Sequence, residues 1–267
     1  MRLWTLGALR WTAALSAQGL RVDGTEPVAV DDQGEVRRGA ELAGAELDLG
    51  RLGVLRIERV TQDSAARFPE QTWLIEAQWR RDSGEASVCP PDAKGERRAL
   101  MFQGYLDADM RYVDAPERFS ISCLSGAQAK CLRWGYLPWR KSPAGAGTLA
   151  PYFESCLRMA RADYCGNDQP TTRQGTAIDI YDHIGIQQPT PGLVDYSFEA
   201  GWSPAGAVCV HHPRIVDNLA LAELARNCPR LAAATLGEDC DAASAGQQGA
   251  LLFNRSVDHR GAWPTGP

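Results

Sequence analysis

At 267 residues, with 44% hydrophobic and 23% charged side chains, the chain is long enough for one large domain or two small ones with a sizeable core. A net charge of −5, with no lysine/arginine block or basic stripe, argues against nucleic acid as a partner. No run of 18 apolar residues exists that could span a bilayer, so no transmembrane span is expected.

The N-terminus, "MRLWTLGALRWTAALSAQG", has a basic start, an apolar stretch and small residues (Ala14, Ser16, Ala17) where a signal peptidase could cut. Arg10 splits the apolar stretch, and an ordinary first strand is the competing reading. Residues 1–18 are therefore a candidate signal peptide.

Residues 19–124 read as β-rich. The segment "RGAELAGAELDLG" carries GAEL twice, at 39–42 and 44–47. Two such units cannot bury a core alone, so they belong to the edge of something larger, as pentapeptide-like turns or as two matching strand ends. "VLRIERV", "TWLIEAQWR", "RALMFQGYLD" and "FSISCL" follow, separated by Pro, Gly and Asp clusters. Such alternation predicts antiparallel strands with one wet face. Cys89 and Cys123 flank strands of this block and are candidates for a local bridge.

From residue 125 to 257 the texture is mixed. "GAQAKCLRWGY" predicts a short helix ending at Gly135. "TLAPYFESCLRMARADYCG" predicts a longer one, with Thr148 as cap, Pro151 in the first turn and Gly166 at the end. Tyr152, Cys156, Met159 and Ala160 recur on its core face. "GTAIDIYD" is a strand candidate, and "YSFEAGWSPAGAVCVHH" reads as a hairpin turning at Ser203–Gly206. "NLALAELARNC" predicts a short helix with Asn218 near its cap, "ALLFNR" a last strand, and residues 258–267 a loose tail. The expected fold class is α+β: an antiparallel β-rich part followed by a disulfide-stapled mixed domain.

The eight cysteines are Cys89, Cys123, Cys131, Cys156, Cys165, Cys209, Cys228 and Cys240. An even number suits a disulfide framework in an oxidising compartment, with 105 possible pairings. None sits in a CxxC pair, so structural zinc is poorly supported, and no metal or cofactor is expected. If Cys156 and Cys165 share one helix, nine steps place their Cα atoms about 13 Å apart, whereas a disulfide needs about 7 Å or less. Each must then look elsewhere: to Cys131, to Cys209, or to the Cys228/Cys240 pair.

Four blocks, "KCLRWGYLPW" (130–139), "CLRMARADYCG" (156–166), "GTAIDIYDHIGIQ" (175–187) and "FEAGWSPAGAVCVHHPRI" (198–215), occur in this order. Together they resemble the ADYC-domain family, named for the Ala162-Asp163-Tyr164-Cys165 tetrapeptide, over roughly residues 120–257. The resemblance implies an exported bacterial protein, periplasmic or secreted, in which repeats such as GAEL precede the domain. It implies no particular reaction.

Several roles compete for these residues. Cys165 could be a thiolate nucleophile, with His211 or His212 as base and Asp182 or Asp179 orienting the imidazole. Cysteine parity and the negative end of a helix dipole weigh against that reading. Asp179, Asp182, His183 and His211 or His212 could gather a divalent metal, but no HExxH or HxH spacing occurs. Arg161, Asp163 and Tyr164 read as a structural motif, with a buried Asp–Arg contact tying the helix to "GTAIDIYD". Trp134, Tyr136, Trp139, Tyr164 and Trp202 are either core or the wall of a glycan- or peptide-binding groove. The reading these weigh towards is an envelope or extracellular protein that binds a ligand or serves a structural role, with a thiol hydrolase as the alternative.

Overall fold

The structure is a computed structural model that describes residues 14–16, 19–30, 34–92, 94–145, 147–215, 217, 219–232 and 234–257. Apart from 14–16, the candidate leader lies outside the described residues, as do the tail and Asn218. No helix among the described residues is long and apolar enough to cross a membrane.

The chain divides into two compact units. The first comprises Met1–Asp63, Glu70–Gln103 and Ala115–Cys123; the second takes Ser64–Pro69, Gly104–Asp114 and Leu124–Pro267. Two short segments from the first half of the sequence thus fold with the second unit.

The first unit is built from β1 (Ala14–Ser16), β2 (Leu20–Asp23), β3 (Glu26–Val30), β4 (Val36–Arg38), β5 (Glu46–Asp48) and β6 (Val54–Gln62). It continues with β7 (Trp73–Arg81), β8 (Gly84–Ser87) and β9 (Arg98–Gln103). The short hairpin β10 (Tyr105–Leu106) and β11 (Tyr112–Val113) belongs to the second unit, and β12 (Phe119–Cys123) closes the first. Strands β2-β3-β4 form one sheet; β1-β5-β6-β7-β9-β12, with β8 beside β7, form another. All pairs are antiparallel except β1 with β5.

The sequence of β6 explains its shape. Leu55 and Ile57 face the core, but the next apolar residue is Val60, one position too far for simple alternation. A bulge between Ile57 and Arg59 absorbs the extra residue and keeps all three buried. The two GAEL units differ in conformation: the first is a 3-10 turn, whereas the second runs into β5. What they share is a leucine, Leu42 and Leu47, each fully buried in the core that holds Leu55, Ile57 and Ile75. Cys89 and Cys123 bridge within this unit, with Cα atoms 5.6 Å apart.

The second unit contains α1 (Ala127–Arg133), α2 (Ala150–Arg161), β13 (Asp179–Asp182), β14 (Tyr196–Ser203) and β15 (Gly206–Val210). Three short helices, α3 (Leu221–Asn227), α4 (Pro229–Ala232) and α5 (Ala242–Gln247), precede the final strand β16 (Leu252–Val257). The sheet order is β13-β16-β14-β15, wholly antiparallel, and α2 lies against β14, β15 and β16. The fold is α+β, as the alternation of patterns predicts.

Helix α2 departs from expectation at both ends. Leu149 occupies the cap position, although the Thr148 hydroxyl does accept from the Ala150 N–H at 3.3 Å. The helix stops at Arg161 rather than at Gly166, because Ala162 turns left-handed at φ 50°, ψ 42°. Cys156 and Met159 are buried as their spacing predicts, together with Phe153 and Leu157; Tyr152 and Ala160 are half-buried.

Candidate functional site

The residues that follow α2 are each committed to a structural contact. Ala162 supplies the left-handed turn, its methyl fully buried. That turn swings Asp163 back so that its Oδ2 accepts from Arg158 Nη1 at 2.6 Å, a buried ion pair. The same carboxylate accepts the N–H groups of Asn167 and Asp168 at 3.1 and 3.0 Å and so shapes the loop. The Tyr164 carbonyl accepts from Arg230 Nη2 at 2.8 Å and from the Ala207 N–H at 3.0 Å. Cys165 bridges to Cys228, Cα atoms 5.3 Å apart. Gly166, at φ 71°, packs its Cα directly on the Ala205 carbonyl oxygen, where no side chain fits.

The Tyr164 side chain leads to the centre of the unit. Its ring stacks on Trp202, centroids 5.1 Å apart. Its hydroxyl donates to Glu199 Oε1 at 2.8 Å and accepts the Arg214 N–H at 2.8 Å. The Glu199 carboxylate also accepts Arg214 Nε at 3.0 Å, Arg214 Nη2 at 2.9 Å and Asn254 Nδ2 at 2.7 Å. Asn254 is in turn held by the Trp202 indole N–H at 2.7 Å. Arg214 caps the end of α2, donating to the carbonyls of Met159 (2.8 Å) and Ala160 (3.4 Å), where the helix dipole favours a cation.

Glu199 and Arg214 are 0% and 2% exposed. Burial pushes the Glu199 carboxyl up, but the Arg214 charge and the bonds from Arg214 and Tyr164 outweigh it and hold the carboxyl below the ordinary carboxylate range. Burial, with the Glu199 charge, pushes the Tyr164 phenol well up. The cluster is ionised, internally neutral and saturated with hydrogen bonds. Chemically it is a clamp: its carboxylate has four donors and no vacancy for a substrate proton.

The sequence candidates fall as follows. Cys131 pairs with Cys156, Cys209 with Cys240 and Cys165 with Cys228, so all eight cysteines are bridged. Cys156 and Cys165 indeed look elsewhere, to Cys131 and Cys228; Cys228 and Cys240 are not partners of each other. A bridged Cys165 carries no thiolate. His212 is buried, its Nε2 3.0 Å from Ser197 Oγ, and His211 Nδ1 lies 3.2 Å from the Cys240 carbonyl. Asp182 accepts the Tyr136 hydroxyl and the N–H groups of Ile184, Ile186 and Gln187, all at 2.8–3.1 Å. Asp179 pairs with Arg255. Among the described residues no group of three or more His, Cys, Asp or Glu side chains comes together as a metal site.

The expected Asp–Arg contact exists with different partners: Asp163, just past the end of α2, pairs with Arg158 on that helix, whereas Arg161 pairs with Asp168. Neither ties the helix to "GTAIDIYD". Tyr136, Tyr164 and Trp202 are core; Trp134 and Trp139 are half-buried. Sequence reasoning missed Glu199, Arg214 and Asn254, the heart of the cluster. The available signal was an acid set between Phe198 and Ala200, in a strand that carries no other charged residue.

Arg214 also lines a cleft of about 430 Å³, walled by Lys130 of α1, by Trp134 just past the end of that helix, by Arg161, and by the loop through Thr172 and Arg173. Burial, with the neighbouring Arg214 charge, holds Lys130 below the ordinary lysine range.

These features define a disulfide-stabilised α+β protein whose second unit is organised around a buried, charge-neutral polar cluster. Residues 39–216, about two thirds of the chain, match the ADYC domain, and the protein belongs to that family. The match begins at the first GAEL unit, well before the blocks that carry the resemblance in the sequence, and ends short of β16. No match is found among curated proteins or among solved structures.

Proposed function

We propose that this is an exported protein, periplasmic or secreted, with a non-catalytic role in binding or in structure at the bacterial cell envelope, its ligand a glycan or a peptide. The observation that carries this reading is the pairing of all eight cysteines, which suits an oxidising compartment. The ADYC tetrapeptide supports it too, since each of its residues is committed to holding the fold.

The test is a thiol count on the full chain recovered from an oxidising compartment, with and without denaturant, joined to non-reducing peptide mapping. The expected result is no free thiol and a Cys165–Cys228 cross-linked peptide. A free Cys165 that reacts with iodoacetamide unusually fast near neutral pH would overturn the reading in favour of a thiol hydrolase using Cys165 with His211 or His212.

A further inference from the structure

Of the 28 lysines and arginines in the chain only three are lysines: Lys94, Lys130 and Lys141. Lys94 and Lys141 are exposed, whereas Lys130 is half-buried and lines the cleft beside Arg214. Its neighbours fix its place on α1. Ala129 and Cys131, on either side, are fully buried, and the Cys131–Cys156 bridge ties that turn to α2.

The surroundings of this amine carry one sign of charge. Arg161, Arg173 and Arg214 share the cleft wall with it, and no aspartate or glutamate does so among the described residues. The acids that pair with these arginines, Asp168, Asp217 and Glu199, all stand outside that wall. No carboxylate among the described residues pairs with Lys130. An ammonium here is opposed by partial burial and then by the like charge of Arg214. Both penalties vanish once the nitrogen is uncharged. Lysines so placed are the ones that form Schiff bases with carbonyl compounds. An imine is a much weaker base than a primary amine, so its formation removes the positive charge from beside Arg214. The cleft, at about 430 Å³, falls within the range of small-molecule sites.

We infer that Lys130 is a covalent capture site for small aldehydes, which it holds in the cleft as an imine on Nζ. The Nζ lone pair attacks the carbonyl carbon and a C–N bond forms. The carbonyl C–O bond then breaks, and the oxygen leaves as water with both amine protons. The product is a neutral C=N linkage, and no oxidant or reductant is consumed. This site goes beyond the binding role proposed above and does not depend on it.

The test is incubation of the oxidised full chain near pH 7 with glycolaldehyde and cyanoborohydride, which reduces imines to stable amines, followed by peptide mass spectrometry. Lys130 is expected to be labelled several times faster than Lys94 and Lys141, although both are more exposed, because an ordinary lysine is almost wholly protonated at that pH. An aldehyde-bearing dextran, too large for the cleft, is expected to reverse that order. The reduced and alkylated chain in guanidinium chloride is expected to label all three lysines at similar rates. Labelling of folded Lys130 no faster than Lys94 or Lys141, dextran labelling with the same preference as glycolaldehyde, or an unchanged preference in the unfolded chain would each overturn the inference.

Discussion

The Tyr164 hydroxyl is a single atom that serves two buried charged residues, giving its proton to Glu199 and taking the Arg214 backbone N–H. Tyr164→Phe keeps the ring stacked on Trp202 but leaves that N–H without an acceptor and the carboxylate one donor short. The expected loss is about 1–3 kcal/mol of unfolding free energy, read from urea denaturation. A change within a few tenths of a kcal/mol would mean that the hydroxyl is dispensable. Glu199→Gln is expected to cost more, about 3–5 kcal/mol, because it strands a buried guanidinium. Its pH signature follows from the lowered Glu199 pKa. A carboxyl that is more acidic folded than unfolded adds stability that is complete above the unfolded value, about 4.3, and fades as the pH falls through the lower, folded value. The wild-type protein should therefore lose stability on acidification across that window, and Glu199→Gln should lose less of its own. Parallel stability–pH curves below pH 5 would remove Glu199 from the account.

At the scale of elements, the end of α2 is docked on the β14–β15 turn by backbone against backbone. Gly166 meets the Ala205 carbonyl, and Gly206, at φ 111°, faces the Tyr164 carbonyl and the Gly166 N–H. A methyl at Gly166 would clash with the Ala205 oxygen and also sit in a left-handed conformation, so Gly166→Ala is expected to destabilise by several kcal/mol. A melting temperature within two or three degrees of wild type would show that the turn can give way. These contacts also mark where the sequence stops being legible. The hairpin, helix α2 and the Cys89–Cys123 bridge can be read because turn residues, helical spacing and flanking strands are local signals. The Arg158–Asp163 pair cannot: five residues apart, the two do not meet on a continuous helix, and only the left-handed turn at Ala162 brings them together. Glu199 reads as one more acid in a strand, because nothing local reveals that Arg214 and Asn254 converge on it.

For the whole molecule the bridges divide unequally, one in the first unit and three in the second, closing sequence separations of 34, and of 25, 63 and 31 residues. Loop-closure entropy assigns each about 3.5–4.5 kcal/mol, against a total domain stability of about 5–15 kcal/mol. They also differ in access. Cys131, Cys156, Cys209 and Cys240 are all 0% exposed, whereas Cys123 and Cys165 are half-buried. Thiol–disulfide exchange requires an incoming thiolate to reach a sulfur, so the Cys89–Cys123 and Cys165–Cys228 bridges should open first in the folded protein. Brief exposure to dilute dithiothreitol, then alkylation and peptide mapping, is expected to label those four cysteines while near-UV circular dichroism persists. Breaking the two inner bridges removes about 7–9 kcal/mol from the second unit, enough to unfold a domain of ordinary stability, so their labelling should coincide with loss of that signal. Labelling of all eight cysteines at one rate would mean instead that reduction proceeds through global unfolding, and that burial of the inner sulfurs protects nothing.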